Sequence, residues 1–292
     1  RNDKNPGLAT KAALLGGIFN IIGDYLFVFT FHMGILGAGL ATAIGSILSL
    51  AAMMSHFLGK KNTLRLVKPE KLFEKLRAIT VTGFSTFFID VAMGILTILF
   101  NRQILHYLGT DALSVYGIIV NISTFVQCCA YSIGQASQPI ISANYGARND
   151  ARIRQTLLYA LYTAAAFGLF WTGLSMAVPN LYVRIFMTPT DTILQIAPSI
   201  IRSYGISFLL LPFNIFSTYY FQALMKPSAS FLVSVSRGAV ISGAFILLLP
   251  LFAGSSAIWF AMPLTELIVA FYAAFKIKQF TKELTNPLPQ TT

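Results

Sequence analysis

Eight stretches of this chain, roughly residues 9–31, 35–57, 79–100, 113–141, 157–178, 199–224, 231–251 and 256–275, run for about twenty residues or more with almost no charge. A helix crosses bilayer hydrocarbon in about 20 apolar residues. Inside lipid no water can satisfy a backbone amide, so each run must close its hydrogen bonds within itself as a helix or across a sealed barrel. Several runs are too long for barrel strands and none alternates polar with apolar. The fold class is therefore an all-α integral membrane protein with eight transmembrane helices. Composition agrees, with 11% charged residues against roughly 25% in soluble domains.

The net charge of +11 does not point to nucleic acid, because the basic residues sit in short segments between the apolar runs. They fall on alternate segments: Arg1, Lys4 and Lys11; then seven between Lys60 and Arg77; then Arg148, Arg152 and Arg154; then Lys226 with nearby Arg237; then Lys276, Lys278 and Lys282. These are 18 of the 21, and Arg102, Arg184 and Arg202 remain for the other face. Lysine and arginine accumulate in cytoplasmic loops, so both ends of the chain are expected in the cytoplasm and the protein in the cell membrane. Segment 59–78, with seven basic and two acidic residues, reads as a surface helix joining two parts, either solvated beside anionic headgroups or regulatory. Cys128 and Cys129 are adjacent in an apolar run, too close for an ordinary disulfide and without the second pair that a metal site needs.

The chain opens RNDKNPG, without methionine or signal peptide, and is expected to be the remainder of a longer protein. Pro6 and the hairpin at 32–35 recur as Pro227 and the hairpin at 253–256, both at an offset of 221 residues. That repeat fits a chain holding the last two helices of one half-bundle (1–58), a basic connection (59–78), a complete six-helix half (79–276) and a tail (277–292). Two unrelated hairpins of similar length give the same pattern.

A charged group in the bilayer centre costs about 2.5–3.5 kcal/mol on insertion scales, so such groups face a cavity or a partner. Three runs carry an acid: Asp24, Asp90 and Glu266. No lysine lies deep enough to pair with them. Asn20 and Asp24 are four apart on one helical face, with Gly16 and Gly17 a turn earlier. Thr42 follows in GILGAGLATAIG, whose Gly37, Ala38, Gly39 and Ala41 suit close packing. An amide carbonyl, a carboxylate and a hydroxyl suit H⁺ or Na⁺ and not a soft metal. The alternative is a protonated aspartate bonded to Asn20 for packing alone.

Gly83, Thr86, Asp90, Gly94, Thr97 and Asn101 form a second polar stripe at helical spacing, and Asn121, Thr124, Cys128, Tyr131, Gln135 and Gln138 a third. Both are expected to face a water-filled space, where Asp90, Thr86, Asn121, Gln135 and Tyr131 would bind substrate. Glu266 is either a second proton site or a satisfier of backbone groups freed at Pro263. Pro198 and Pro212 bracket the sixth run, and Pro212 should bend it, leaving Asn214, Ser217, Thr218 and Gln222 as a gate element.

No Gly-rich nucleotide loop, zincin motif or hydrolytic triad occurs, so no enzymatic chemistry and no organic cofactor is expected. An ion gradient would supply the energy.

RNDKNPGLA, NIIGD, GILGAGLATAIG and GQASQPIISANYGA (134–147) resemble the multidrug and toxic compound extrusion (MATE) family, and the resemblance spans about residues 1–278. It implies helices five to twelve of a twelve-helix, two-lobe antiporter fold, with a V-shaped cavity of alternating access. It further implies that Asn20, Asp24 and Thr42 match the amino-terminal-lobe H⁺ or Na⁺ site, and that Asp90 matches an acidic position where the family more often has glutamate. The family's aspartate on helix one has no counterpart here. The resulting expectation is efflux of amphipathic organic cations by antiport, from a protein monomeric at full length. A lipid-linked oligosaccharide flippase is the alternative within transport, with Arg202 and Arg237 its only deep cationic candidates, and an ion-sensing receptor or channel the alternative outside it.

Overall fold

The computed structural model describes residues 6–58, 62 and 71–285, excluding within these the side chains of 6, 58, 78–90, 92, 93, 284 and 285. Most of the expected connection at 59–78 thus lies outside the described residues. Among the described residues the chain is helical, with no strand. Seven helical segments among the described residues are long and apolar enough to cross a membrane. The sequence count of eight differs because the third and fourth runs lie on one continuous element, α3 (Leu72–Gly146), broken by non-helical backbone at Gly109 (φ 82°). That φ lies in the region only glycine enters freely.

The chain divides into two compact units, Arg1–Lys75 and Leu76–Thr292. In the first, α1 (Pro6–Asp24) and α2 (Gly34–Leu58) form an antiparallel hairpin, joined through a π-helical turn, Tyr25–Thr30, and a reversal at His32 and Gly34 with φ of 54° and 56°. The helices touch backbone to backbone: a Cβ on Gly45 would lie 2.7 Å from the Gly16 carbonyl oxygen, and one on Gly37 2.8 Å from the Phe27 backbone. Gly17 and Gly39, which the sequence grouped with them, meet nothing within 4 Å. Gly45→Ala should therefore cost about 1–3 kcal/mol by overpacking, while Gly39→Ala should be neutral or stabilising through helix propensity. Thermal melts of the two variants in detergent check the contrast.

In the second unit α3 is followed by α4 (Asp150–Ala177), α5 (Pro179–Phe186), α6 (Asp191–Gly205), α7 (Leu211–Ala223), α8 (Pro227–Val235), α9 (Ile241–Ala253) and α10 (Ala261–Thr285). Asn149 caps α4 by accepting from the Arg152 amide, and Thr190 caps α6 through Ile193. The sixth run is interrupted by a 3₁₀ turn, Ile206–Leu209, with Pro212 in the first turn of α7. Proline lacks an amide hydrogen and is tolerated there. The seventh run is likewise interrupted by a π turn at Ser236–Val240. Helices α1 and α8 begin at Pro6 and Pro227, the two prolines of the 221-residue offset.

Two apolar clusters hold this unit together. One joins Phe100, Tyr116, Ile119, Tyr204 and Trp259; the other joins Ile141, Ile153, Phe216, Tyr220 and Phe280. Helix α10 continues past residue 276 to Thr285, so the expected tail begins as helix. Lys226 pairs with Glu283 at 3.2 Å and Arg154 donates to the Thr281 carbonyl at 3.4 Å, so the basic ends of α4, α7 and α10 gather at one end of the unit. Arg237 does not belong with them. It lies inside the seventh span, in the π turn, with its side chain 13% exposed.

Candidate functional site

The close approach at Gly16 and Gly45 leaves a groove of about 240 Å³ between α1 and α2, lined by Ala13, Gly16, Gly17, Asn20, Thr42 and Gly45, with Ser46 and Ser49 at its end. Asn20 Nδ2 donates to Thr42 Oγ1 at 3.0 Å, and Thr42 donates to the Ala38 carbonyl at 3.0 Å. The structure thus brings two of the three expected ligands into contact. Asp24 stands one turn beyond Asn20 and does not line the groove. Its Oδ1 is buried and has no hydrogen-bond partner among the described residues. The helix changes to π geometry at Tyr25, the next residue, and single π turns mark functional positions in many helices. A buried carboxylate oxygen without a donor is expensive, and the hydrogen bond to Asn20 that a pure packing role would require is not formed.

The backbone of Thr86 and Asp90 belongs to α3, but both side chains fall outside the described residues. Asn121, Thr124, Cys128, Tyr131 and Gln135 lie together on an exposed face of the second unit. Asn121 and Thr124 donate to carbonyls one turn back, at Gly117 and Val120. Tyr131 is 39% exposed and meets Tyr219 edge-on at 6.4 Å. Gly134 makes room for that ring, since a Cβ there would fall 2.2 Å from it. Gln138 donates to Gln222, which donates to Ser230, tying α3, α7 and α8.

Glu266 does not satisfy backbone groups near Pro263; its carboxylate is held by side chains. It is fully buried, with Oε1 accepting from Arg237 Nε and Oε2 from Asn214 Nδ2, both at 2.6 Å. Asn214 also donates to the Glu266 carbonyl at 2.8 Å. No backbone group freed by Pro263 is involved, because that proline sits in the first turn of α10. Asn214 and Ser217, read as gate residues, are fully buried, and Ser217 bonds the Phe213 carbonyl. The sequence reading missed Arg237 as the partner of Glu266 by placing it with the loop at Lys226. Its position ten residues beyond Pro227, inside an apolar run, was the available signal.

A hairpin with a partnerless carboxylate oxygen and a bundle pinned by a buried ion pair together define a multi-pass helical membrane protein with polar groups kept deliberately at depth. The MatE family model matches residues 86–248, more than half of the chain, and the chain belongs to that family. It is 25% identical over 270 residues to the multidrug export protein MepA of Staphylococcus haemolyticus (strain JCSC1435), covering 91% of this chain and 58% of the relative. The fold matches an outward-facing multidrug resistance MATE family transporter of the MOP superfamily with a TM-score of 0.81 at 21% identity, over 94% of this chain and 62% of the other. It matches a Pyrococcus furiosus MOP superfamily transporter, described as having a binding pocket of reverse polarity, with a TM-score of 0.80 at 19% identity and the same coverages. The chain thus spans somewhat less than two thirds of the length of these relatives.

Proposed function

We propose that the protein carrying this chain exports amphipathic organic cations by antiport, with H⁺ or Na⁺ entering at Asp24, Asn20 and Thr42. The observation that carries the proposal is the buried, unpartnered Oδ1 of Asp24, one turn from the Asn20–Thr42 pair. A small cation would supply the counter-charge that the described residues do not. One ion coupled to one drug molecule transfers about 1.4 kcal/mol per tenfold gradient, and the loaded state favours the conformation from which the drug leaves. Both oxygens of Glu266 are already engaged, which supports Asp24 over Glu266 for this role.

Cargo would be attracted by acidic side chains, Asp90 among them, and held by aromatic surface such as Tyr131. The multidrug role of MepA, named for that relative, supports this reading. The flippase alternative needs free cationic groups for a pyrophosphate. Arg237 is charge-paired with Glu266, and Arg202 Nε donates to the Met176 carbonyl at 3.1 Å. Cells expressing the complete gene product should accumulate less of a fluorescent aromatic cation than control cells. Collapse of the proton gradient or removal of sodium should abolish the difference, and which of the two does so identifies the ion. Equal accumulation with all gradients intact refutes the proposal.

A further inference from the structure

At the basic end of the second unit, α4, α7 and α10 leave a groove of about 420 Å³. Its walls are Leu157 and Leu161 of α4, Phe213 of α7, and Ala274 and Ile277 of α10. One turn closer to the helix ends it is rimmed by three cations, Arg154, Lys278 and Lys282, all exposed. Among the described residues no acidic side chain lines it. Glu283, the acid nearest in sequence, is held by Lys226 at 3.2 Å, and Lys276 is engaged with Gln279 and the ring of Phe280. Arg154 also tethers α4 to α10 through the Thr281 carbonyl, and Tyr220 contacts Thr281 Oγ1 at 3.0 Å, so the rim is fixed to both walls.

An apolar trough ending in a cluster of like charge has the polarity of one ligand, a diacyl lipid with an anionic head. The trough takes acyl chain and the rim takes phosphate. Basic pockets between transmembrane helices at the anionic membrane face bind such headgroups, each lysine or arginine contributing on the order of 1 kcal/mol. A free phosphate would leave the apolar walls uncovered, and a zwitterionic lipid would bring its own cation against three others. We infer that this groove seats an anionic phospholipid. The inference is independent of the export proposal.

The test uses the complete protein in nanodiscs, with Leu161→Trp as reporter and Phe213→Trp as a second reporter should the first fail to fold. Quenching by phosphatidylglycerol brominated on its acyl chains is compared with quenching by brominated phosphatidylcholine. A preference of about tenfold or more for the anionic lipid is expected. It should be lost when Arg154, Lys278 and Lys282 are all replaced by Gln, and kept in Lys276→Gln, outside the groove. Equal quenching by the two lipids, a preference surviving the triple replacement, or displacement by millimolar inorganic phosphate would each overturn the inference.

Discussion

Alanine at Glu266 is expected to destabilise the second unit by about 3–5 kcal/mol, because removing one partner of a buried ion pair strands the other charge. Three consequences meet at this position. Arg237, 13% exposed, loses its counter-charge. Asn214 loses one of its two acceptors, Oε2, and keeps the Glu266 main-chain carbonyl. A cavity opens where a fully buried side chain stood, and cavities add their own cost. The melting temperature of the purified protein in detergent should fall by roughly 10 °C, given about 2–4 °C per kcal/mol for domains of this size. The paired replacement Glu266→Leu with Arg237→Met should recover most of that loss, since an apolar pair of similar volume avoids desolvating two charges. If the single and paired variants melt alike, the ion pair is not what pins α10 to the seventh span.

Asp24→Asn should leave stability nearly intact and abolish transport. Its buried Oδ1 has no donor to lose, and the amide removes the charge of a half-buried carboxylate at nearly constant shape. Stability should therefore stay within about 1 kcal/mol of native or rise. Transport should collapse. A 1:1 exchange against a tenfold ion gradient sustains about a tenfold drug gradient, equivalent to about 1.4 kcal/mol, and an asparagine can neither take up a proton nor neutralise a sodium ion. The steady-state drug ratio across proteoliposome membranes should drop to about one, while drug binding to the purified variant persists. A variant that both melts early and fails to transport would show that Asp24 is a packing residue.

Much of the fold is legible from run length alone, because bilayer thickness converts twenty apolar residues into a span without reference to neighbours. Proline positions also carry through, with Pro6, Pro212 and Pro227 all in the first turns of helices. The break at Gly109 is less visible, since a glycine within a polar-flanked stretch does not reveal that its φ will be positive. Asn20 and Thr42 came together as their depths required. The Arg237–Glu266 pair did not emerge, because it joins residues 29 apart on different helices and hydropathy averages a lone arginine into its apolar run. The roles of the two prominent acids separate on partners and not on sequence. Asp24 and Glu266 are both single carboxylates in apolar spans, yet one has an unpartnered oxygen and the other has two short hydrogen bonds.

The decisive measurement is ion movement driven by drug. With the complete protein in proteoliposomes and no ion gradient imposed, a cationic drug gradient should drive H⁺ or Na⁺ across the membrane in the opposite direction, and Asp24→Asn should abolish that flux. Drug crossing without ion movement, or ion counterflow undiminished in Asp24→Asn, would contradict a coupling site at this carboxylate.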